Sequence, residues 1–579
     1  MQYSAFHTPG ECILESEETA LHDIDGTRLY ETWDSGLLDC IIRVNDVPRL
    51  KQYLSAYKFL NLDPGEDFCY DPLYAAAWAG STDVLRILVD YYHKSSSTKK
   101  PLHRRKNSLL RATCSGLHLE TARFILDMQP TPGSVDFNQS DRDKALLAAA
   151  GALTNLPPEN LFSEARKSET LIDFDHDHWT SDLISRGEEL IHLLLDGGAS
   201  AQAVDLPTSE IQWASRILCG GSAVEDNDSG SQALQSFGSV LGLASSRANP
   251  ALVERLIDHG ANIHAKEQFQ HHGSSSLWSD RPMPWSVTSI HISSMYWNSE
   301  ALQTLLGHHG GDISGSLSYR DSKGRLPLHY AAAGPGSDEC WLSDVQVKDR
   351  IMDTLKLLLP GSDINARDDR GENTLHHAIR GHARCTRSKH FDAVVKFLLE
   401  NGAEADIVDK NGQTVLHKLA AECKGGDPID IPLIDLLLSR GVEINQQDKN
   451  GSTALHLMAR NLRQVRVVKV LISRGMDVGL TDSRGNTALH HCVWVGNLLD
   501  RHGCVLSPFV DQREALGEMR DILLKAGGDI MMDQPNSRGE TPRQLQFKRL
   551  ETWRRAEFPE LFPKPAGRGR PLTNNLVKS

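Results

Sequence analysis

Ten cysteines in 579 residues stand singly and never as C-x-x-C, so they supply neither a disulfide framework nor a zinc ribbon. That usage fits a reducing compartment such as cytosol or nucleus. Aromatic residues make up 6% of the chain against 40% apolar residues in all, so a core must be built mainly from Leu, Ile, Val and Ala. No apolar run approaches the ~20 residues of a membrane helix. The opening MQYSAFHTPGECILESEET has no basic end leading into an apolar stretch, which predicts no secretion signal. There is no Gly-Lys pair and hence no phosphate-cradling loop, and neither H-E-x-x-H nor G-x-S-x-G occurs. These absences leave no catalytic, cofactor-binding or metal-ligating set to name, and they predict a chain that is not an enzyme. With 62 basic and 76 acidic side chains the net charge is −14, which excludes general affinity for nucleic acid by the body as a whole.

What the chain does have is self-similarity. D-K-N-G-Q-T-V-L-H (Asp409–His417) recurs as D-K-N-G-S-T-A-L-H (Asp448–His456) and as D-S-R-G-N-T-A-L-H (Asp482–His490). The first two are followed by Leu-rich runs closing on Gly, such as Leu433–Gln447 and Val467–Val478. Glycines 412, 451 and 485 lie 39 and 34 residues apart, near the ~33-residue period of stacked-helix repeats. Asp, Asn and Gly make a turn. Thr414, Thr453 and Thr487 then stand where a helix starts, with Leu416, Leu455 and Leu489 facing the core. Gly402, Gly441 and Gly475 are expected as left-handed ends of the second helices. One such helix pair cannot bury its apolar face alone, and the next must cover it.

This pattern resembles the ankyrin repeat. The resemblance implies an all-α ankyrin-repeat solenoid of about 12 degenerate repeats with loop insertions. It spans residues 37–562, is best formed over 324–530, and lies between an acidic leader or cap (1–36) and a basic tail (563–579). Six histidines (His291, His329, His376, His417, His456, His490) occupy one slot of the repeat, and the resemblance implies that each imidazole bonds the capping Thr and a neighbouring backbone group. Leu190–Leu195 (LIHLLL) reads as the buried seam of a second helix. Asp175–Trp179 (DHDHW) lies in a polar stretch, about 154–186, read as an insertion. Gly220–Gln232 is a second polar insertion. Further additions, such as Gly334–Arg350 and Glu422–Pro432, are placed after the first helix of a repeat.

Two basic features stand out. KKPLHRRK carries Lys99, Lys100, Arg104, Arg105 and Lys106 and resembles a nuclear-import signal on an exposed loop, with a solvated charged loop as the other reading. From Arg538 onward ten basic side chains face four acidic ones. There Arg568-Gly569-Arg570-Pro571 resembles the core of an AT-hook, whose Arg side chains follow the narrow A·T-rich minor groove.

Insertion-bearing ankyrin chains of this style resemble filamentous-fungal coregulators of secondary-metabolite gene clusters. The resemblance implies a protein partner such as a transcription factor on the concave solenoid face, weak DNA contact through the tail, no membrane and no small-molecule substrate. The nucleus is the expected location. The alternative is a cytoplasmic adaptor with no DNA or nuclear role.

Overall fold

The structure is a computed structural model that describes residues 21–22, 28–29, 37–56, 71–95, 103–128, 137–154, 176–205, 238–267, 286–308, 313–335, 344–382, 391–422, 429–495 and 509–557. It divides into two compact units, residues 1–368 and 369–579.

In the first unit helices come in pairs. Pro72–Ala79 shows why a pair forms. Asp71 accepts from the amides of Leu73 (3.0 Å) and Tyr74 (3.3 Å), and Pro72 takes the first helical position, where no N–H is needed. Gly80, at φ 72°, turns the chain into the second helix, Thr82–Ser95. The pairs His103–Ser115 with Leu119–Asp127, Val240–Ala244 with Pro250–Asp258, and Ser289–Met295 with Ser299–Gly307 follow the same plan. Each first helix packs on the first helix of the next pair, burying Leu73, Ala76, Leu110, Ala112, Leu146 and Ala149. These small residues let the helices approach closely and explain how so few aromatics suffice.

One expectation is corrected here. The stretch 154–186 is not wholly an insertion, because the second helix of its pair runs from His176 to Asp196 and takes in residues 176–186. Polar residues in its first turns hid the helix from a reading based on apolar period, and His176–Trp179 are its first residues. Likewise Asp344–Leu358 is helical, so the addition that begins at Gly334 is shorter than expected.

The first unit also joins successive pairs through short antiparallel contacts, and the expected insertion Gly220–Gln232 falls between the two strands of the first of them. Val204–Asp205 pairs antiparallel with Gly238–Ser239, and Glu267 bridges Val287 through both backbone bonds (2.8 and 3.0 Å). Residues 206–237 and 268–285, which follow Asp205 and Glu267 in sequence, lie outside the described residues. A third antiparallel contact, Leu21–His22 with Arg28–Leu29, lies within the acidic leader.

In the second unit the inter-pair turns are tight, and the added residues fall between the two helices of a pair, as between Val415–Glu422 and Ile431–Ser439. Helices Thr374–His382, Val415–Glu422, Ala454–Met458, Ala488–Val495 and Pro542–Glu557 pack in succession. The expected left-handed helix ends are present, with φ of 94°, 89° and 97° at Gly402, Gly441 and Gly475.

Candidate protein-interaction face

The turns of the second unit form fingers joined in a ladder. The Lys410 amide donates to the Arg370 carbonyl (2.8 Å), Lys449 to Asn411 (2.8 Å), Ser483 to Asn450 (2.7 Å) and Ser537 to Arg484 (2.9 Å). Inside each finger the leading carboxylate organises the turn. Asp409 Oδ1 accepts from the amides of Asn411 (2.7 Å) and Gln413 (2.9 Å), and Asp448 and Asp482 do the same in theirs.

The repeated histidines lock each finger to the next. The backbone N–H of Thr453 and its hydroxyl both reach His456 Nδ1 (3.0 and 2.9 Å), a capping box with an imidazole in the usual Glu position. His456 Nε2–H donates to the Asn486 carbonyl in the following finger at 3.0 Å. His417 does the same with Thr414 and Ser452, and His490 with Thr487 and Glu540. In the first unit, His329 Nδ1 accepts from the Leu326 amide (2.8 Å) and Nε2 donates to Ala366 (3.0 Å). His376 departs from the pattern. Its Nδ1 donates to Asn373 Oδ1 (2.6 Å), and its contact with Gln413 stretches to 3.5 Å. Burial holds the imidazoles of His291, His376 and His456 down at about 4 and lowers those of His417 and His490. They are neutral structural groups, spaced one per repeat.

After three of the slot histidines, the next residue points back at its own finger. Lys418 Nζ lies 2.8 Å from Asp409 Oδ2, and His491 Nε2 lies 2.9 Å from Asp482 Oδ2. In the first unit, Tyr330 donates to Asp321 at 2.8 Å. Lys418 also bonds Glu372 Oε1 at 2.6 Å, and Arg380 holds Glu372 Oε2 at 3.2 Å. Glu372 is buried, and burial alone would raise its carboxyl. His377, Lys418 and Arg380 outweigh that and hold it at about 2. Sequence reasoning missed this network, although a carboxylate at a finger position filled elsewhere by Gln413, Ser452 and Asn486 is a visible signal.

Trp494 follows His491 by three residues, so it shares the helix face that meets the finger. It is 53% exposed, unusual for an aromatic side chain on a packed helix.

The sequence-predicted site residues are placed as follows. Arg105 and Lys106 lie in helix His103–Ser115 rather than on an exposed loop. Arg105 pairs with Asp71 and stacks over Tyr92. Lys106 donates to the Met128 carbonyl and sits over the Phe137 ring. Arg104 is in the same helix, while Lys99, Lys100 and the tail residues Arg568, Gly569, Arg570 and Pro571 lie outside the described residues. Among the described residues, no helix is long and apolar enough to cross a membrane.

A ladder of fingers backed by paired helices, with its histidines consumed in the backbone, defines a repeat scaffold of the protein-binding kind. Residues 345–429 and 419–500 match the family model for ankyrin repeats, in three copies, so the chain carries ankyrin repeats in this stretch. It is similar to ankyrin repeat and SOCS box protein 6 of Pongo abelii, 27% identical over 183 residues, and to that of Homo sapiens, 26% identical over 183 residues. Each match covers 31% of this chain and 35% of the relative, so the likeness spans about a third of those proteins' length.

Proposed function

We propose that this protein is a non-catalytic scaffold that holds a protein partner on the finger face of residues 369–557 and acts in the nucleus as a transcription coregulator. The partner in this reading is a transcription factor, and genes of a secondary-metabolite cluster are the targets suggested by the resemblance. The observation that carries the scaffold role is the finger ladder itself: its polar groups are spent on holding the turns rigid, which leaves the tips and the Trp494 face for contact. Rigid presentation lowers the ordering cost of binding. The nuclear part draws on the basic run and the tail.

Because Arg105 and Lys106 are engaged in packing, import would rest on Lys99, Lys100 and Arg104. Imaging the tagged protein beside a Lys99→Ala/Lys100→Ala/Arg104→Ala variant tests this. Nuclear wild type and displaced variant are expected, and a cytoplasmic wild type would remove the coregulator reading. The tail is tested by Arg568→Ala/Arg570→Ala, which is expected to weaken retention on A·T-rich duplex in low salt.

The second reading is a cytoplasmic adaptor. It is favoured by relatives named for ankyrin repeats joined to a further module, and by the two basic residues folded into the first unit.

A further inference from the structure

Charge divides unevenly between the two units. Residues 369–579 hold 31 basic and 26 acidic side chains, +5, which leaves 31 against 50, −19, in residues 1–368. Residues 383–390 and 558–579 each add three net positive charges to that sum, so it is the tips, not the body of the unit, that are cationic: every finger carries one exposed cation, Arg370, Lys410, Lys449, Arg484 and Arg538. Turn chemistry asks only for small polar residues at these tips, and Asn or Ser already stands beside each cation but the first. A Lys or Arg in every finger is therefore not demanded by the fold. Asp369 is the one acidic tip residue. The carboxylates beneath, Asp409, Asp448 and Asp482, are turned into their own fingers and satisfied there. The ladder bonds fix the cations in a single file.

We propose that this file binds an acidic, extended polypeptide segment of a protein partner, with one acidic side chain per finger and one apolar side chain against Trp494. This rests on the scaffold reading and names the chemistry of what the scaffold holds. Packed helices lie about 8–10 Å apart, and an extended segment in the polyproline-II form advances about 3.1 Å per residue with three residues per turn, so every third side chain faces the same way. Each finger therefore meets about every third residue of the segment. A duplex nucleic acid winds its phosphates away from a straight file. A single strand asks for stacking platforms in successive repeats, whereas the register of Trp494 holds Arg380, Ala421 and Arg460 in the three preceding repeats. Among the described residues that register holds one aromatic side chain, Trp494, with Phe547 the other exposed aromatic on the following helix, which suits few apolar side chains among acidic ones.

The test uses the full chain and a fluorescein-labelled twelve-residue peptide with Glu at every third position and one central Leu, followed by anisotropy. A second peptide has the same composition with its glutamates contiguous, and a twelve-base-pair duplex is the nucleic-acid probe. The spaced peptide is expected to bind more tightly than either, with affinity falling as salt rises. Lys410→Glu/Lys449→Glu/Arg484→Glu is expected to weaken it roughly tenfold or more, with Tm unchanged because these tips are exposed. Trp494→Ala is expected to cost roughly tenfold while leaving the salt dependence as it was. Equal binding of the contiguous peptide, tighter binding of the duplex, or an unaffected triple variant would overturn the proposal. If the triple variant still captures the same partner as wild type, the acidic-segment proposal falls while the scaffold reading stands.

Discussion

Lys418 bridges two buried carboxylates, adding to the Arg380 contact on Glu372 and to the finger amides on Asp409. With its side chain only 13% exposed, removing its charge strands Glu372 and Asp409 against each other. Breaking a buried pair of this kind costs about 3–5 kcal/mol. Lys418→Met is therefore expected to lower Tm by several degrees, and adding Glu372→Gln is expected to restore part of the loss. If the single variant melts like wild type, the network is not holding this part of the unit together. The slot imidazoles make a second prediction. The folded values of His291, His376, His417, His456 and His490 lie below the ordinary 6.5, so their contribution is complete above pH 6.5 and is lost as pH falls toward 4. For His291, His376 and His456 the difference is on the order of 3 kcal/mol each. Glu372 extends the loss from about 4.5 down to 2. Urea midpoints measured from pH 7.5 to 4.5 are expected to fall steeply below 6.5, and a flat profile would mean the imidazoles are not buried neutral. The histidine slot was legible because it recurs at the period of the fold. The Glu372–Lys418 pair was not, since its partners lie 46 residues apart and the odd carboxylate at Glu372 does not by itself name Lys418 as its partner.

At the scale of the element, the finger is the unit that the rest depends on. Gly451 has φ 71°, and a Cβ there would come within 2.9 Å of the Ser483 amide in the next finger. Gly475 has φ 97° with open space around it. Gly475→Ala is thus expected to cost about 1 kcal/mol from backbone strain alone. Gly451→Ala adds the collision of two backbones and is expected to cost at least about twice as much. Urea denaturation of the two variants decides it, and equal losses would mean the fingers do not stack tightly. Turns, slot histidines and helix-ending glycines could all be read from residue type and offset, because local stereochemistry dictates them. The helix His176–Asp196 could not, since its opening residues are polar and its apolar seam begins only near Leu183. Arg105 and Lys106 misled for the same kind of reason. A run of cations looks exposed until the fold brings up Asp71 from 34 residues upstream and the Phe137 ring from downstream.

At the scale of the molecule, the two units are built to different rules. The first carries −19 and has additional chain both between helix pairs, after Asp205 and Glu267, and inside them, after Thr154. The second carries +5, keeps its fingers tight and puts its additions inside the pairs. Regular fingers make a regular surface, which is why the proposed binding falls on residues 369–557. Hydrogen exchange of the full chain with and without its captured partner measures this directly. Protection is expected at residues 409–412, 448–451 and 482–485 and along Ala488–Val495, with residues 37–368 unchanged. Protection confined to residues 37–368, with the fingers exchanging as freely as before, would contradict it.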